Sequence, residues 1–373
     1  MPTQEINLNI PADQQQYTVH IGSGILQSIG DIAEKLASHD SAAVVADASI
    51  ADSVAQVVVD SLRKHGYDNV TIYEIDASEK QKSLATTQQL YNQFLNARLE
   101  RSSPVIAVGG GVTGDTAGFA AATFLRGLPF INVPTTLLSM VDASVGGKTG
   151  VNIQTPDHTL GKNLIGAFHQ PRAVIIDTKT LTTLSDRHIR AGLAECVKHA
   201  ILADPDLFIW VEKDGHSFNA WDENDKVHFI ATNVDIKANI VERDARESHL
   251  RMILNLGHTF AHVLEPISEL NLYHGEAVAL GLIASAAVGI ELNKTDPALL
   301  NRIKNILQLL GLPTRVPNLP DDNDNAFLIS QMRRDKKVAH ASIRLIIPNE
   351  IGQVEILENV PEPAIKAGWN ALR

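Results

Sequence analysis

Cysteine is almost missing from this chain: Cys196 is the only one among 373 residues. No disulfide can form within the chain, and a thiol left reduced suits a reducing compartment, so a cytoplasmic location is expected. A surplus of positive charge is missing too. Lys and Arg number 32 against 43 Asp and Glu, a formal net charge of −11. A nucleic-acid partner therefore has little electrostatic support. An anionic small molecule stays compatible with that balance, because a local cluster of Lys and Arg overrides the global sign. Long apolar runs are absent as well. The longest weakly polar one, "AVALGLIASAAVGI" (277–290), is too short to span a bilayer, and its small residues suit a buried helix. The opening "MPTQEINLNIP" holds neither a basic n-region nor an apolar core, so no secretory signal is expected. Repeats, low-complexity tracts and long Gly/Ser linkers are not found.

What remains is a chain with 44% hydrophobic residues and a mean hydropathy near zero, long enough for two domains. The first half alternates short β-branched runs with amphipathic segments. The runs are "AAVVAD" (42–47), "NVTIYEI" (69–75), "PVIAVGG" (104–110), "PFINVP" (129–134) and "RAVIID" (172–177). Near-continuous apolar strands separated by helices predict a parallel, Rossmann-like sheet covered on both faces. A hairpin of "INLNI" and "YTVHIG" is expected before it. After about residue 186 helical patterns follow one another, and only "SIRLIIP" and "QVEIL" look like strand. The expected organisation is an α/β domain over 1–186 and a mostly α-helical domain over 187–373. The active site is expected in the cleft between them.

One stretch of the second half, "RMILNLGHTFAH" (251–262), places Arg251, Asn255, His258 and His262 at spacings of 4, 3 and 4. On a single α-helix these share one face, with apolar residues covering the rest. A solvated face would hold Glu, Lys and Gln, so this stripe reads as the wall of a site. His258 and His262 have the spacing of two metal ligands, yet "HTFAH" lacks the glutamate a zinc protease needs after its first histidine. A third histidine, His274, opens a helix-like segment. Glu195 lies in the apolar "AGLAECVKHA", where an unpaired carboxylate is costly to bury. One carboxylate and two histidines would hold Zn2+ with positions open for substrate. Spacing alone leaves the choice between His262 and His274 open.

The first half carries "VIAVGGGVTGDTAGF", with Gly109, Gly111 and Gly114 in a G-x-G-x-x-G arrangement between strand and helix. Such glycines allow a pyrophosphate to approach a helix N-terminus. No acidic residue follows about 20 residues on to hold a ribose; Asp47 or Glu79 would have to supply it. The motif also follows two strands instead of opening the sheet. A nucleotide is expected, in other than the ordinary Rossmann arrangement.

Taken together, "GGGVTGD", "VPTTLLSMVDASVGGKTGVN", "GKNLIGAFHQP", "AGLAECVKHAIL", "RESHLRMILNLGHTFAHVLE" and "HGEAVALG" resemble the 3-dehydroquinate synthase family over nearly the whole chain. The resemblance implies an NAD-binding α/β domain, a helical metal-binding domain and a homodimer. It implies Glu195, His258 and His274 as ligands of Zn2+ or Co2+, with His262 as a proton-transferring residue facing substrate. NAD would be held by Glu79, Lys82, Gly110, Gly111, Val112, Gly114, Asp115, Thr135, Thr136, Thr180, Leu181, Thr182 and Thr183. Asp142, Lys148, Lys162, Asn163, Lys237, Arg251 and Asn255 would line the substrate pocket, Lys148 and Lys162 at its border with the cofactor. Arg126 would reach the substrate phosphate from the neighbouring subunit.

The implied substrate is 3-deoxy-D-arabino-heptulosonate 7-phosphate. Its hydroxyl is oxidised by NAD+, phosphate is eliminated, and the ketone is reduced by the same NADH. Ring opening and an intramolecular aldol closure then give 3-dehydroquinate. Arg251 suits a bidentate carboxylate, while Lys148 and Lys237 act as point charges. Lys198 would neutralise Glu195 one turn away, and Cys196 is expected in the core.

The same scaffold serves cyclases making 2-epi-5-epi-valiolone or 2-deoxy-scyllo-inosose, whose substrates lack the carboxylate. Lys237, Arg251, Asn255 and His262 together favour the carboxylate-bearing substrate. A metal- and NAD-dependent polyol dehydrogenase would make NADH stoichiometrically, and a non-catalytic binding protein would have lost a ligand, whereas none is missing. The chain departs from the family at Ala261, where glycine is usual, and in the longer "IQTPDHTL" (153–160). A further substrate lysine is expected at Lys336 or Lys337.

Overall fold

The computed structural model describes residues 16–37, 40–156, 160–247, 249–317, 319, 325–335 and 343–373. "INLNI" and both Lys336 and Lys337 lie outside them. Six strands form a wholly parallel sheet: β1 (Thr18–Gly22), β2 (Ser41–Asp47), β3 (Asn69–Ile75), β4 (Val105–Gly109), β5 (Phe130–Pro134) and β8 (Ala173–Asp177). Their order is β1-β8-β5-β4-β2-β3. The five apolar runs are all strands, and burial of β2, β4, β5 and β8 along nearly their full length explains why they read as runs. The "YTVHIG" segment supplies β1, which pairs parallel with β8 at the sheet edge.

Helices α1 (Ile29–Leu36) and α2 (Gln56–Lys64) pack one face, burying Ile29, Val58 and Leu62 against Val44, Ile106 and Ile131. On the other face α3 (Leu84–Asn96) and α4 (Gly111–Thr123) bury Leu90, Phe94 and Ala117 against Val45, Ala107 and Phe130. Between β5 and β8 lies an antiparallel hairpin, β6 (Lys148–Gln154) and β7 (Leu160–Phe168), which sequence patterning did not reveal. The longer segment after Ile153 is its tip; residues 157–159 are outside those described.

The remaining chain is mostly helical: α5 (Asp186–Ala203), α6 (Pro205–Asp214), α7 (Glu223–Arg243), α8 (His258–Leu264), α9 (His274–Glu291), α10 (Pro297–Leu309), α11 (Ala326–Asp335) and α12 (Glu362–Asn370). Strands β9 (Leu345–Glu350) and β10 (Gln353–Leu357), the late pair expected from sequence, make an antiparallel hairpin. Helix α5 stops where Asp204 turns extended and caps α6, accepting from the Leu207 N–H at 2.9 Å, with Pro205 next in line. At the centre lies α9, whose length and apolar character would meet a membrane-spanning criterion, but 78% of that window is buried inside the protein.

The stretch 251–262 is not one helix. Residues Leu250–Asn255 form a 3-10 turn, Gly257 adopts a left-handed conformation at φ 80°, and α8 begins at His258. The cause is the approach of α9. A Cβ at Gly281 would stand 2.0 Å from the Gly257 carbonyl oxygen, so the two backbones touch only because both residues are glycine. A second such contact joins α9 to α5, where a Cβ on Gly275 would lie 2.0 Å from the Ala191 carbonyl oxygen.

Candidate active site

Strands β2 and β4 are neighbours, but the chain leaves β2 toward β3 and leaves β4 toward β5, in opposite directions along the sheet. Beyond the carboxyl ends of such a pair a crevice opens that commonly takes a ligand. Asp47 ends β2 and accepts hydrogen bonds from the Ser49 N–H at 2.9 Å and hydroxyl at 2.8 Å. Gly110 stands at the N-terminus of α4 with no side-chain cap, followed by Gly111, Val112, Gly114 and Asp115 in its first turns. The free amides and the dipole of this 13-residue helix face the crevice. Thr135 and Thr136 follow β5, and Thr180, Leu181, Thr182 and Thr183 lie in the 3-10 turn after β8.

A polar network closes one side. Lys82 is buried and donates to Asp115 Oδ2 at 2.5 Å and Asn163 Oδ1 at 2.6 Å. Asn152 accepts from the Asn163 N–H at 2.9 Å and donates to the Glu79 carboxylate at 2.8 Å and carbonyl at 3.1 Å. Asn152 thus locks the β6–β7 hairpin to the Glu79–Lys82 segment. Sequence reasoning did not single it out, although it stands in the quoted "KTGVN".

The second cluster belongs to the helices. Nitrogen and oxygen atoms of Glu195 (α5), His258 (α8) and His274 (α9) all lie within 4.8 Å of one another. Glu195 Oε1 is 3.2 Å from His274 Nε2 and 3.8 Å from His258 Nε2. Each ring uses its other nitrogen elsewhere: His258 Nδ1 reaches the Leu256 carbonyl at 3.2 Å, and His274 Nδ1 bonds Glu265. A donated Nδ1–H leaves the Nε2 lone pair for a cation, the arrangement that orients metal-ligating histidines. Glu195 is fully buried, with Oε1 turned to the two histidines and Oε2 facing the Lys198 ammonium at 2.5 Å. This donor set fits a four-coordinate divalent metal with room for substrate. A second trio, Asp142, Glu195 and His199, is equally compact. There Lys237 already donates to both the Asp142 carboxylate and its carbonyl.

Electrostatics divide the trio. Burial alone would raise the Glu195 carboxyl, but Lys198 and the histidines bring it well below the carboxylate range. Burial, then Lys198, push His258 down to about 3, leaving a neutral ring. His274 is opposite: burial is outweighed by its hydrogen bonds to Glu195 and Glu265, which push it up to about 10.

Around this trio stand most of the other expected residues. Arg251 is buried, its guanidinium donating to the Ala245 carbonyl at 2.7 Å and the Gly146 carbonyl at 3.1 Å. Glu247 gathers Lys148 and Asn255, the latter donating at 2.8 Å. Lys162 donates to Glu265 at 2.8 Å. His262 is exposed one turn beyond His258, with ring centroids 5.7 Å apart. Arg126 stands apart on an exposed turn with left-handed backbone at both Leu125 and Arg126, and makes no salt bridge among the described residues. Glu247 and Glu265 were not foreseen. Only the tertiary fold brings them to their cations, although "HVLE" ends an apolar helix on an acid. Cys196 is fully buried, as expected.

The family model described as 3-dehydroquinate synthase N-terminal matches residues 72–191, and the one described as 3-dehydroquinate synthase C-terminal matches 192–338. The chain is 40% identical over 362 residues to a 3-dehydroquinate synthase of Nitrosomonas europaea, covering 97% of this chain and 95% of that one. It is 39% identical over 361 residues to that of Desulforamulus reducens, covering 96% and 98%. Among solved structures, a 2-epi-5-epi-valiolone synthase of Streptomyces hygroscopicus with NAD+ and Zn2+ bound aligns with a TM-score of 0.86 at 27% identity, over 98% and 99% of the two chains. A 2-deoxy-scyllo-inosose synthase complexed with carbaglucose-6-phosphate, NAD+ and Co2+ aligns with a TM-score of 0.82 at 26% identity, over 93% and 95%.

Proposed function

Since the chain belongs to the 3-dehydroquinate synthase family, we propose that the residues converging on its crevice form a single catalytic site. The protein converts 3-deoxy-D-arabino-heptulosonate 7-phosphate to 3-dehydroquinate and phosphate, with NAD+ and a divalent metal as cofactors. The observation that carries the site assignment is the convergence of Glu195, His258 and His274 beside a belt of buried cations. Bound at these places, the metal supplies Lewis acidity and NAD+ a hydride acceptor regenerated in each cycle.

The chain's own residues do the rest. The uncapped start of α4, with Thr135, Thr136 and the Thr180–Leu181–Thr182–Thr183 turn, binds the dinucleotide, and Asp47 holds a ribose. Glu79 and Lys82 border it through the Asn152 network. Arg251, pinned by two backbone carbonyls, presents the rest of its fork to the substrate carboxylate. Lys148, Asn255 and Asn163 hold substrate oxygens, and Lys237 with Asp142 sets the charge opposite. His262, solvent-connected beside the trio, accepts the hydroxyl proton.

A homodimer in which Arg126 serves the neighbouring site is part of this reading. It is supported by the exposed apolar side chains Leu125, on that turn, and Phe168, beside His169 where it approaches Gly127. A buried lone thiol suits a cytoplasmic protein. The reading is tested by supplying the purified protein with heptulosonate phosphate and, separately, with the carboxylate-free sugar phosphates of the related cyclases. Conversion of the first to 3-dehydroquinate with the others inert is expected. Preference for a carboxylate-free substrate would replace the assignment with one of those activities.

A further inference from the structure

Glu265 lies just beyond the last turn of α8, and its side chain is only 5% exposed. Its two oxygens serve different partners. Oε1 meets His274 Nδ1, and Oε2 accepts from Lys162 Nζ on β7 at 2.8 Å. The opposite edge of the same imidazole points its Nε2 at Glu195 Oε1. Thus three groups in a row, Lys162, Glu265 and His274, end at the metal-ligand trio.

We propose that Glu265 is a positioning residue which fixes the tautomer and rotation of the His274 ring for metal binding. The inference rests on the metal-site reading above. An imidazole held by a carboxylate at Nδ1 has its proton there, so Nε2 is the free donor. The carboxylate also makes the ring a stronger base than a backbone carbonyl would. The contrast is internal to the site, because among the described residues the outer partner of His258 is the Leu256 carbonyl. Lys162 gives the buried carboxylate a second polar partner on its other oxygen, which holds it in place against the ring. Removing Glu265 leaves His274, at the first position of α9, without its acceptor and free to rotate.

The test measures Co2+ affinity by competition with a chromophoric chelator and records the visible d–d absorption of the bound ion, for the full chain and for E265A, E265Q and E195A. Outer partners of this kind change metal affinity by about 10–100-fold. E265A is expected to weaken Co2+ binding within that range and to shift the band, while E265Q, which keeps an acceptor for Nδ1, recovers most of the affinity. E265A and E265Q proteins that are folded by circular dichroism and bind Co2+ as tightly as the parent, with an unchanged band, would overturn the inference. A purely structural role would lower thermal stability without moving the metal Kd, and that result overturns it too. Failure of the underlying site reading looks different: E195A would then retain the parent's Co2+ band and affinity.

Discussion

The Lys198 ammonium lies 2.5 Å from Glu195 Oε2, three residues along α5, with both side chains closed off from solvent. Lys198 does more than neutralise a neighbour, because Asp142 also contributes to holding it charged. A buried carboxylate stripped of its partner costs about 3–5 kcal/mol. Lys198→Met is therefore expected to lose stability on that order in metal-free protein by urea unfolding. A divalent ion should restore part of it, since a ligand bound only to the folded state stabilises that state. An unfolding midpoint equal to the parent's would contradict this account of the pair.

Metal binding should depend on pH through His274. Its folded value of about 10 exceeds an unfolded value of about 6.5, so protonation stabilises the metal-free fold fully below that unfolded value. This contribution is lost as pH rises through about 10. The proton competes with the metal, whereas His258, depressed to about 3, and Glu195 are already deprotonated near neutrality. Calorimetry in buffers of different ionisation enthalpy should find about one proton released per ion near neutral pH, with affinity rising toward alkaline pH. Binding without proton release would show that His274 is not a ligand.

Close backbone contact makes Gly275 and Gly281 intolerant of a side chain. Either alanine variant would set a methyl group 2.0 Å from a carbonyl oxygen, of Ala191 or Gly257 respectively. The helices must separate, and overpacking of this kind costs about 1–3 kcal/mol. Both glycines lie on α9, which carries His274, and Gly281 presses on Gly257 beside His258, so metal affinity should fall in both variants. Metal affinity equal to the parent's in both would argue that the trio tolerates movement of α9.

The Asn152 side chain makes two hydrogen bonds from the hairpin to Glu79 and accepts a third from Asn163 within the hairpin. Each contributes about 0.5–1.5 kcal/mol net. N152A is expected to weaken NAD+ binding by roughly tenfold, about 1.4 kcal/mol, with Co2+ affinity unchanged. Fluorescence titration with the cofactor checks this. A loss of metal affinity with NAD+ binding intact would reverse the assignment of the two clusters.

The parallel sheet was legible because strands buried on both faces are written as uninterrupted apolar runs, from "AAVVAD" to "RAVIID". The β6–β7 hairpin was not. Its glycines and lysines break any alternation, and Asn163, at φ 54°, interrupts the strand itself. The 4-3-4 spacing of Arg251, Asn255, His258 and His262 imitates one helix, yet the backbone turns at Gly257. Chain-local periodicity carries no sign of α9 passing against it. The three candidate ligands were visible as residue types out of place in apolar segments. The surrounding residues Glu247, Glu265 and Asn152 were not, because hydrogen bonds to residues 9–103 positions away leave no local pattern.

The central claim is a site in which one metal and one recycled nicotinamide act on a phosphorylated sugar acid. The direct measurement follows inorganic phosphate released from 3-deoxy-D-arabino-heptulosonate 7-phosphate with NAD+ held far below substrate, before and after chelation and on returning Zn2+ or Co2+. Many phosphates per NAD+, lost on chelation, restored by metal and matched by 3-dehydroquinate, is the predicted result. Stoichiometric NADH with no phosphate, or turnover indifferent to the metal, would contradict it.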